Sequence, residues 1–227
     1  APFAVSPRRV PIASASTSPA QKRFSGAGCL NFPKWLHPFF TATTRYRPMT
    51  YDSSLRIGTH EIALDAPSYF IADIAANHDG NLERAKDLIW KSKEAGADCA
   101  KFQHFIADRI VSKVGFEGPK GQVSHQAKWK KSVVEVYDQY HTRRDWTDEL
   151  VETCRKADIH FMTTPYDIEA VDMFRDIVPA YKIGSGDITF HEEVEHIAKT
   201  GKPVLLATGA ATMAEVEAAA DLVLRHN

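Results

Sequence analysis

Residues 49–227 predict an α/β fold built on a parallel sheet. Three features carry that expectation. Short apolar or β-branched runs alternate with helical patterns, five such strand–helix units follow one another, and polar residues gather at the carboxyl end of every run. Ahead of the first unit, LRIGTHEIAL reads as a small hairpin turning at Gly58 to His60. The first strand is YFIADIAA, 69–76. The helix after it spans 81–95, with Leu82, Ala85, Leu88, Ile89 and Ala95 on one stripe and Gly96 as its stop. Asp79 or Asn81 suits the cap of that helix. The second strand is CAKFQHF, 99–105. A helix over 143–157 lines up Trp146, Leu150, Val151 and Cys154 behind a capping-box-like Thr142/Asp145 pair. HFMTT (160–164), AYKIGS (180–185) and PVLLAT (203–208) supply the remaining strands, with helices over 168–176, 191–200 and 213–225. Thr212 and Glu215 form a capping box for the last.

One interval between strands is much longer than the others. The stretch 106–141 hangs from the end of the second strand and holds Gly115, Gly118, Pro119 and Gly121, then a short helix expected over 125–137. Insertions of that size in a compact domain usually shape a binding site, so it is read as a lid; the alternative is a solvated insertion with Lys128, Lys130 and Lys131 facing water.

Charge narrows the function. The 227 residues carry 28 Lys and Arg against 29 Asp and Glu, a net charge of −1, which gives no electrostatic reason to expect nucleic acid or an anionic membrane as partner. Small-molecule chemistry is the default. Cys29, Cys99 and Cys154 contain no CxxC pair, so neither a disulfide framework nor a zinc cluster is expected, and a reducing compartment, the cytoplasm, follows. No apolar run reaches the roughly 18 residues of a membrane span. Residues 1–50 have no Asp or Glu and seven basic residues, leaving 21 basic against 29 acidic beyond them. Residues 1–48 are therefore read as a disordered basic leader, either an organelle transit-like segment or an upstream stretch before a start at Met49.

Five consecutive βα units suit either an open Rossmann-like sheet or the first part of a TIM (β/α)₈ barrel. No GxGxxG follows the first strand, which removes the main support for a dinucleotide fold. The strand ends instead carry Asp73, Asn77 and His78; Lys101 and Gln103; Thr163 and Thr164; Lys182, Ser185 and Asp187; and Thr208 and Gly209. In a barrel these converge at one mouth. A buried ammonium without a counterion loses its hydration uncompensated, so Lys101 and Lys182 inside apolar strands imply a phosphate or carboxylate ligand. The GSGD at 184–187 offers backbone N–H groups to such an oxyanion. The structural alternative pairs Lys101 with Asp73 and Lys182 with Asp187. His78 and His104 lack a second ligand at metal spacing, so no metal ligand is assigned; Cys99 and Cys154 read as core.

DIAANHDGNLERAKDLIWKSKEAGADCAKFQ, FMTTPYD, AYKIGSGDIT and TGKPVLLATGAAT resemble, in order and spacing, blocks of the N-acetylneuraminate (sialic acid) synthase family, the bacterial-type enzymes that make nonulosonic acids. The resemblance runs from Leu55 to Asn227. It implies a (β/α)₈ barrel, of which five or so units are present after the hairpin, that condenses phosphoenolpyruvate with an N-acetylmannosamine-like aldehyde and releases phosphate. It also implies a divalent metal, Mn or Mg, and a homodimer at full length. By the same resemblance Lys101, Thr164, Lys182 and Ser185 grip the phosphate and carboxylate of phosphoenolpyruvate, and Gln103 lies near the acceptor sugar. Asp73, Lys101, Gln103 and Lys182 are thus the catalytic candidates. Asn77, His78, Thr164, Ser185, Asp187, Thr208 and Gly209 are the substrate-binding ones.

The sequence departs from the family in three places. Asp73 stands where the family commonly has Glu, and Ala207 where an STG motif has Ser. The sequence ends at Asn227, so the strands bearing two metal-binding histidines, and a small C-terminal domain, are expected beyond it. Two other readings stay open. One is a Schiff-base aldolase or lyase using Lys101 or Lys182; the other is an inactive truncated piece that binds anions, poorly soluble and without turnover.

Overall fold

The computed structural model describes residues 52–112, 115 and 129–227. Ser54–Ile57 (β1) and His60–Ala63 (β2) pair antiparallel. The chain reverses through Gly58 at φ +59°, and a Cβ there would sit 2.7 Å from the His160 ring, so the dihedral and the close approach both demand glycine. Ile71–Ala75 (β3), Cys99–His104 (β4), His160–Pro165 (β5), Tyr181–Ile183 (β6) and Val204–Leu206 (β7) form one five-stranded parallel sheet in sequence order. This is the α/β, parallel-sheet class expected from the alternating pattern.

The connecting helices are Leu82–Glu94 (α1), Ala107–Ile110 (α2), Val133–Tyr140 (α3), Thr147–Lys156 (α4), Ile168–Phe174 (α5), His191–Ala198 (α6) and Met213–Leu224 (α7). Local signals explain their starts. The Asn81 side chain accepts from the Arg84 N–H at 2.9 Å, and Ser132/Glu135 and Thr212/Glu215 both close capping boxes. One start differs from expectation. A 3₁₀ turn, Arg144–Trp146, precedes α4, Arg143 takes the cap position without a side-chain bond, and Asp145 pairs with Arg143 instead of closing a box with Thr142. Thr142 is buried and bonded to His78. The expected helix over 125–137 is observed as α3, beginning only after Ser132. Residues 1–51, 113–114 and 116–128 lie outside the described residues, and with them the basic leader, Cys29 and Lys128.

Strand alternation sorts side chains onto two faces. On β4, Ala100 and Phe102 face the helices, in a core shared with Ile89, Leu150, Phe161, Phe174, Tyr181 and Ile197. Cys99 faces the other way and packs with Ile57, Met162 and Ala180. Each large side chain buried in this manner contributes about 1.5–3 kcal/mol. Burial pushes the Cys99 thiol up to about 12 and raises that of Cys154, so both are packing groups.

The edge strands β3 and β7 would lie about 19 Å apart in a flat five-stranded sheet. Instead Ile71 of β3 and Leu205 of β7 line one apolar cavity of about 450 Å³ with Ile57, Ile62 and Tyr69. The sheet therefore curls, and the β1–β2 hairpin covers the amino-terminal end of its inner face. A polar clasp fixes that cover: Tyr69 Oη and His160 Nδ1 are 2.7 Å apart, and the His60 ring stands edge-on to both.

Candidate functional site

The carboxyl-terminal end of the inner face carries the charged groups. Register places Lys101 beside Asp73, and Gln103 beside Thr164. Thr163 pairs with Tyr181, so the next residues on the same strands, Thr164 and Lys182, occupy one level, with Lys182 beside Leu205. A bulge follows Asp73, and Ala75 after it has φ +50°; alternation from Ile71 puts Ile74 in the outer core and Asp73 on the inner side, 60% exposed. Backbone strain of this kind concentrates at functional sites.

The Lys101 ammonium is buried and donates to Asp73 Oδ1 at 2.7 Å. The pairing read as the structural alternative is thus present, yet an ammonium has three donors and Asp73 takes one of them. Lys182 behaves differently. Its Nζ folds back to donate to the Ile183 carbonyl at 2.8 Å, and among the described residues it joins no ion pair. Burial lowers its proton affinity, and the Lys101 charge lowers it further, against the pull of Asp73 and Asp187. The expected Lys182–Asp187 ion pair is not formed.

The turn after β6 brings Asp187 back over the sheet end, its N–H donating to the Gly184 carbonyl at 3.1 Å. The Asp187 carboxylate lies against the Gly184 Cα so closely that any Cβ would collide with it, and Tyr166 Oη would be 3.7 Å from the same Cβ. Burial raises the Asp187 carboxyl, with Lys182 opposing. Tyr166 accepts from the Gln103 amide at 3.1 Å, and burial raises its phenol. Sequence reasoning missed Tyr166. The available signal was an aromatic residue two positions past Thr164 in FMTTPYD, directly after a strand end.

The other predicted site residues hold their own local places. His78 is fully buried; its Nδ1 accepts from the Gly80 N–H at 3.2 Å, and its Nε2 bonds Thr142 Oγ1 at 3.0 Å. Both ring nitrogens are used within the chain, so His78 ties the loop after β3 to Thr142. Asn77 is exposed and donates to the Ile74 carbonyl at 2.9 Å. Thr163 faces the helices, its hydroxyl 2.8 Å from His104 Nδ1, and so does not belong to the mouth, whereas Thr164 does. His104 packs 4.4 Å from the Phe174 ring, and burial depresses it to about 3. Ser185 is half-buried in the turn after β6; Thr208 and Gly209 are exposed just beyond β7.

The insertion returns to this end of the sheet. Tyr137 of α3 packs on Phe105 at 5.4 Å, and Phe105 stands edge-on to Tyr166 at 5.8 Å. Arg144 donates to both carboxylate oxygens of Asp167, which caps α5, and Arg109 of α2 bridges Asp167 and Glu169. Lys130 and Lys131 are exposed.

Among the described residues no group of three His, Cys, Asp or Glu side chains is placed to hold a metal ion. The divalent metal implied by the resemblance is therefore not accounted for by these residues, and no chemistry is routed through one below. No helix among the described residues is long and apolar enough to cross a membrane.

With this geometry in place, comparison with known proteins is informative. Residues 88–227 match the model of the NeuB family. An uncharacterized protein of Methanocaldococcus jannaschii is 33% identical over 163 residues, 71% of this chain and 44% of the relative. The N,N'-diacetyllegionaminic acid synthase of Campylobacter jejuni is 32% identical over 157 residues, 69% of this chain and 46% of the relative. A crystal structure of N-acetylneuraminic acid synthetase from Leptospira borgpetersenii, in complex with citrate, superposes with a TM-score of 0.65 at 25% identity, covering 76% of this chain and 55% of that one. The chain spans less than half the length of these two curated relatives.

Proposed function

Since the chain belongs to the NeuB family, we propose that it carries the phosphoenolpyruvate end of a nonulosonic acid synthase site on the first units of a (β/α)₈ barrel. The reaction joins C3 of phosphoenolpyruvate to the aldehyde carbon of an N-acetylmannosamine-like sugar. The aldehyde oxygen takes up a proton, water adds to the cation left at C2, and phosphate departs from the tetrahedral intermediate. One observation carries the reading: two ammonium groups share the inner face, and Lys182 has no carboxylate partner among the described residues while burial works against its charge. An oxyanion at that level supplies the missing counter-charge.

Each residue then has a task. Lys101 and Lys182 balance the phosphate and carboxylate charges, with the Thr164 and Ser185 hydroxyls and the backbone of the turn after β6 beside them. Gln103, held by Tyr166, and Asp187 face the acceptor, where the amide and the carboxylate can each hydrogen-bond a sugar hydroxyl. Asp73 steadies Lys101 until ligand enters. The relative's bound citrate, a multiply charged carboxylate, is in keeping with a site of this polarity.

Calorimetric titration of the full chain with phosphoenolpyruvate tests the proposal. Binding that inorganic phosphate displaces, with pyruvate binding more weakly, is the expected result; absence of binding overturns it. Release of phosphate when N-acetylmannosamine is added would establish the condensation itself. The lowered proton affinity of Lys182 also suits an amine nucleophile. That second reading requires a pyruvate adduct on Lys182 after borohydride reduction, seen by mass spectrometry, and a competing anion site does not produce one.

A further inference from the structure

Behind the mouth lies a carboxyl that the reaction above does not use. Glu193, in the first turn of α6, is 1% exposed, and its Oε1 is buried with no hydrogen-bond partner among the described residues. A carboxylate in the first turn of a helix is ordinarily favoured by the N-terminal dipole. Here two successive backbone bonds, Phe190 N–H to the Asp187 carbonyl at 2.8 Å and Glu193 N–H to the Phe190 carbonyl at 3.0 Å, tie it to the turn after β6. The charges of Asp187 and Asp167 oppose its own. Arg144 is committed to Asp167 and Glu169.

We propose that Glu193 is a positioning residue: held uncharged behind Asp187, it keeps the rim of the mouth free of a second negative charge and so lets an anionic substrate approach Lys182. This goes beyond the proposed function while resting on its placement of the anion. Burial first, then Asp187 and Asp167, push the Glu193 carboxyl up to about 8. At neutral pH it therefore keeps its proton. As pH rises through about 8 it ionises, the new charge acts on Asp187 and on any oxyanion beside Lys182, and anion binding weakens. The sign is that of an acid with a raised folded-state affinity for its proton: the neutral form is complete below pH 7 and lost above 8.

The experiment uses the full chain, native and Glu193→Gln, the latter nearly isosteric and permanently neutral. Inorganic phosphate binding is measured from pH 6 to 9.5, and the side-chain carboxyl ¹³C shift of Asp187 is followed over the same range. The native protein is expected to lose about tenfold in phosphate affinity across the alkaline step, with a secondary step in the Asp187 shift at the same pH. Glu193→Gln is expected to match the native affinity at pH 6.5 and to lack both steps. Persistence of either step in Glu193→Gln, or its absence from the native chain, overturns the proposal. A protein that binds no phosphate at any pH defeats the proposed function instead, and the Asp187 shift still decides the role of Glu193. A thermal melt of Glu193→Gln at or above the native value at pH 7.5 shows that it folds.

Discussion

The two ends of one sheet face make opposite use of the same strands. At the amino-terminal end Ile71 and Cys99 are packed under the hairpin with Ile57 and Ile62. Two or so residues further along, Asp73, Lys101 and Gln103 follow on the same face, with Met162 beside Lys101 and Leu205 beside Lys182 at the boundary between the two ends. A parallel curled sheet fills its base for stability and opens its carboxyl end to loops, so chemistry and packing separate along the strand rather than between strands. The comparison predicts that substitutions at the base change stability without changing ligand affinity, and that substitutions at the mouth do the reverse.

The strongest way to break this separation is Ile57→Ala. Ile57 is buried, and truncation is expected to cost about 2–5 kcal/mol in urea unfolding. Phosphoenolpyruvate affinity of the folded fraction should be unchanged; a loss of affinity proportional to the loss of stability would show that the two ends are coupled. Next in size is Lys182→Met. Removal of a cation whose burial is unfavourable should weaken phosphoenolpyruvate binding at least tenfold, about 1.4 kcal/mol or more, while the urea midpoint stays or rises. A lower midpoint with intact affinity would place Lys182 among the structural residues. The smallest effect sharpens the base alone. Tyr69→Phe removes the 2.7 Å bond to His160 and should cost about 1 kcal/mol, seen as faster amide exchange in β1 and β2, with anion binding unaltered.

Local signals in the sequence located most elements of the sheet and its helices. Asn81 and Thr212 cap the helices their spacing suggested, and the period-two pattern puts Lys101 and Gln103 on the face opposite Ala100 and Phe102. Periodicity fails where a partner far along the chain decides. Thr142 reads as a cap, but the buried His78 ring, 64 positions away, claims its hydroxyl. Thr163 and Thr164 look equivalent, yet alternation sends one to His104 and leaves the other with Gln103. The Lys101–Asp73 pair was foreseeable as one of two options, and the register of β3 on β4 sets the two side by side. Tyr166 carried only its place just past a strand end, and Glu193 carried no local signal, because the surroundings of both come from segments far apart in the chain.

The Asp73–Lys101 pair gives the mouth a resident competitor. A ligand arriving at Lys101 exchanges with a tethered carboxylate that is already in place and open to water on its far side. Such an exchange gives a singly charged acid little net gain, because it substitutes one carboxylate for another. A ligand with two or three charges can engage Lys182 as well, and then the trade becomes favourable. On the proposed function, selectivity for highly charged small acids over their simpler analogues would thus arise from a residue that such a ligand has only to displace.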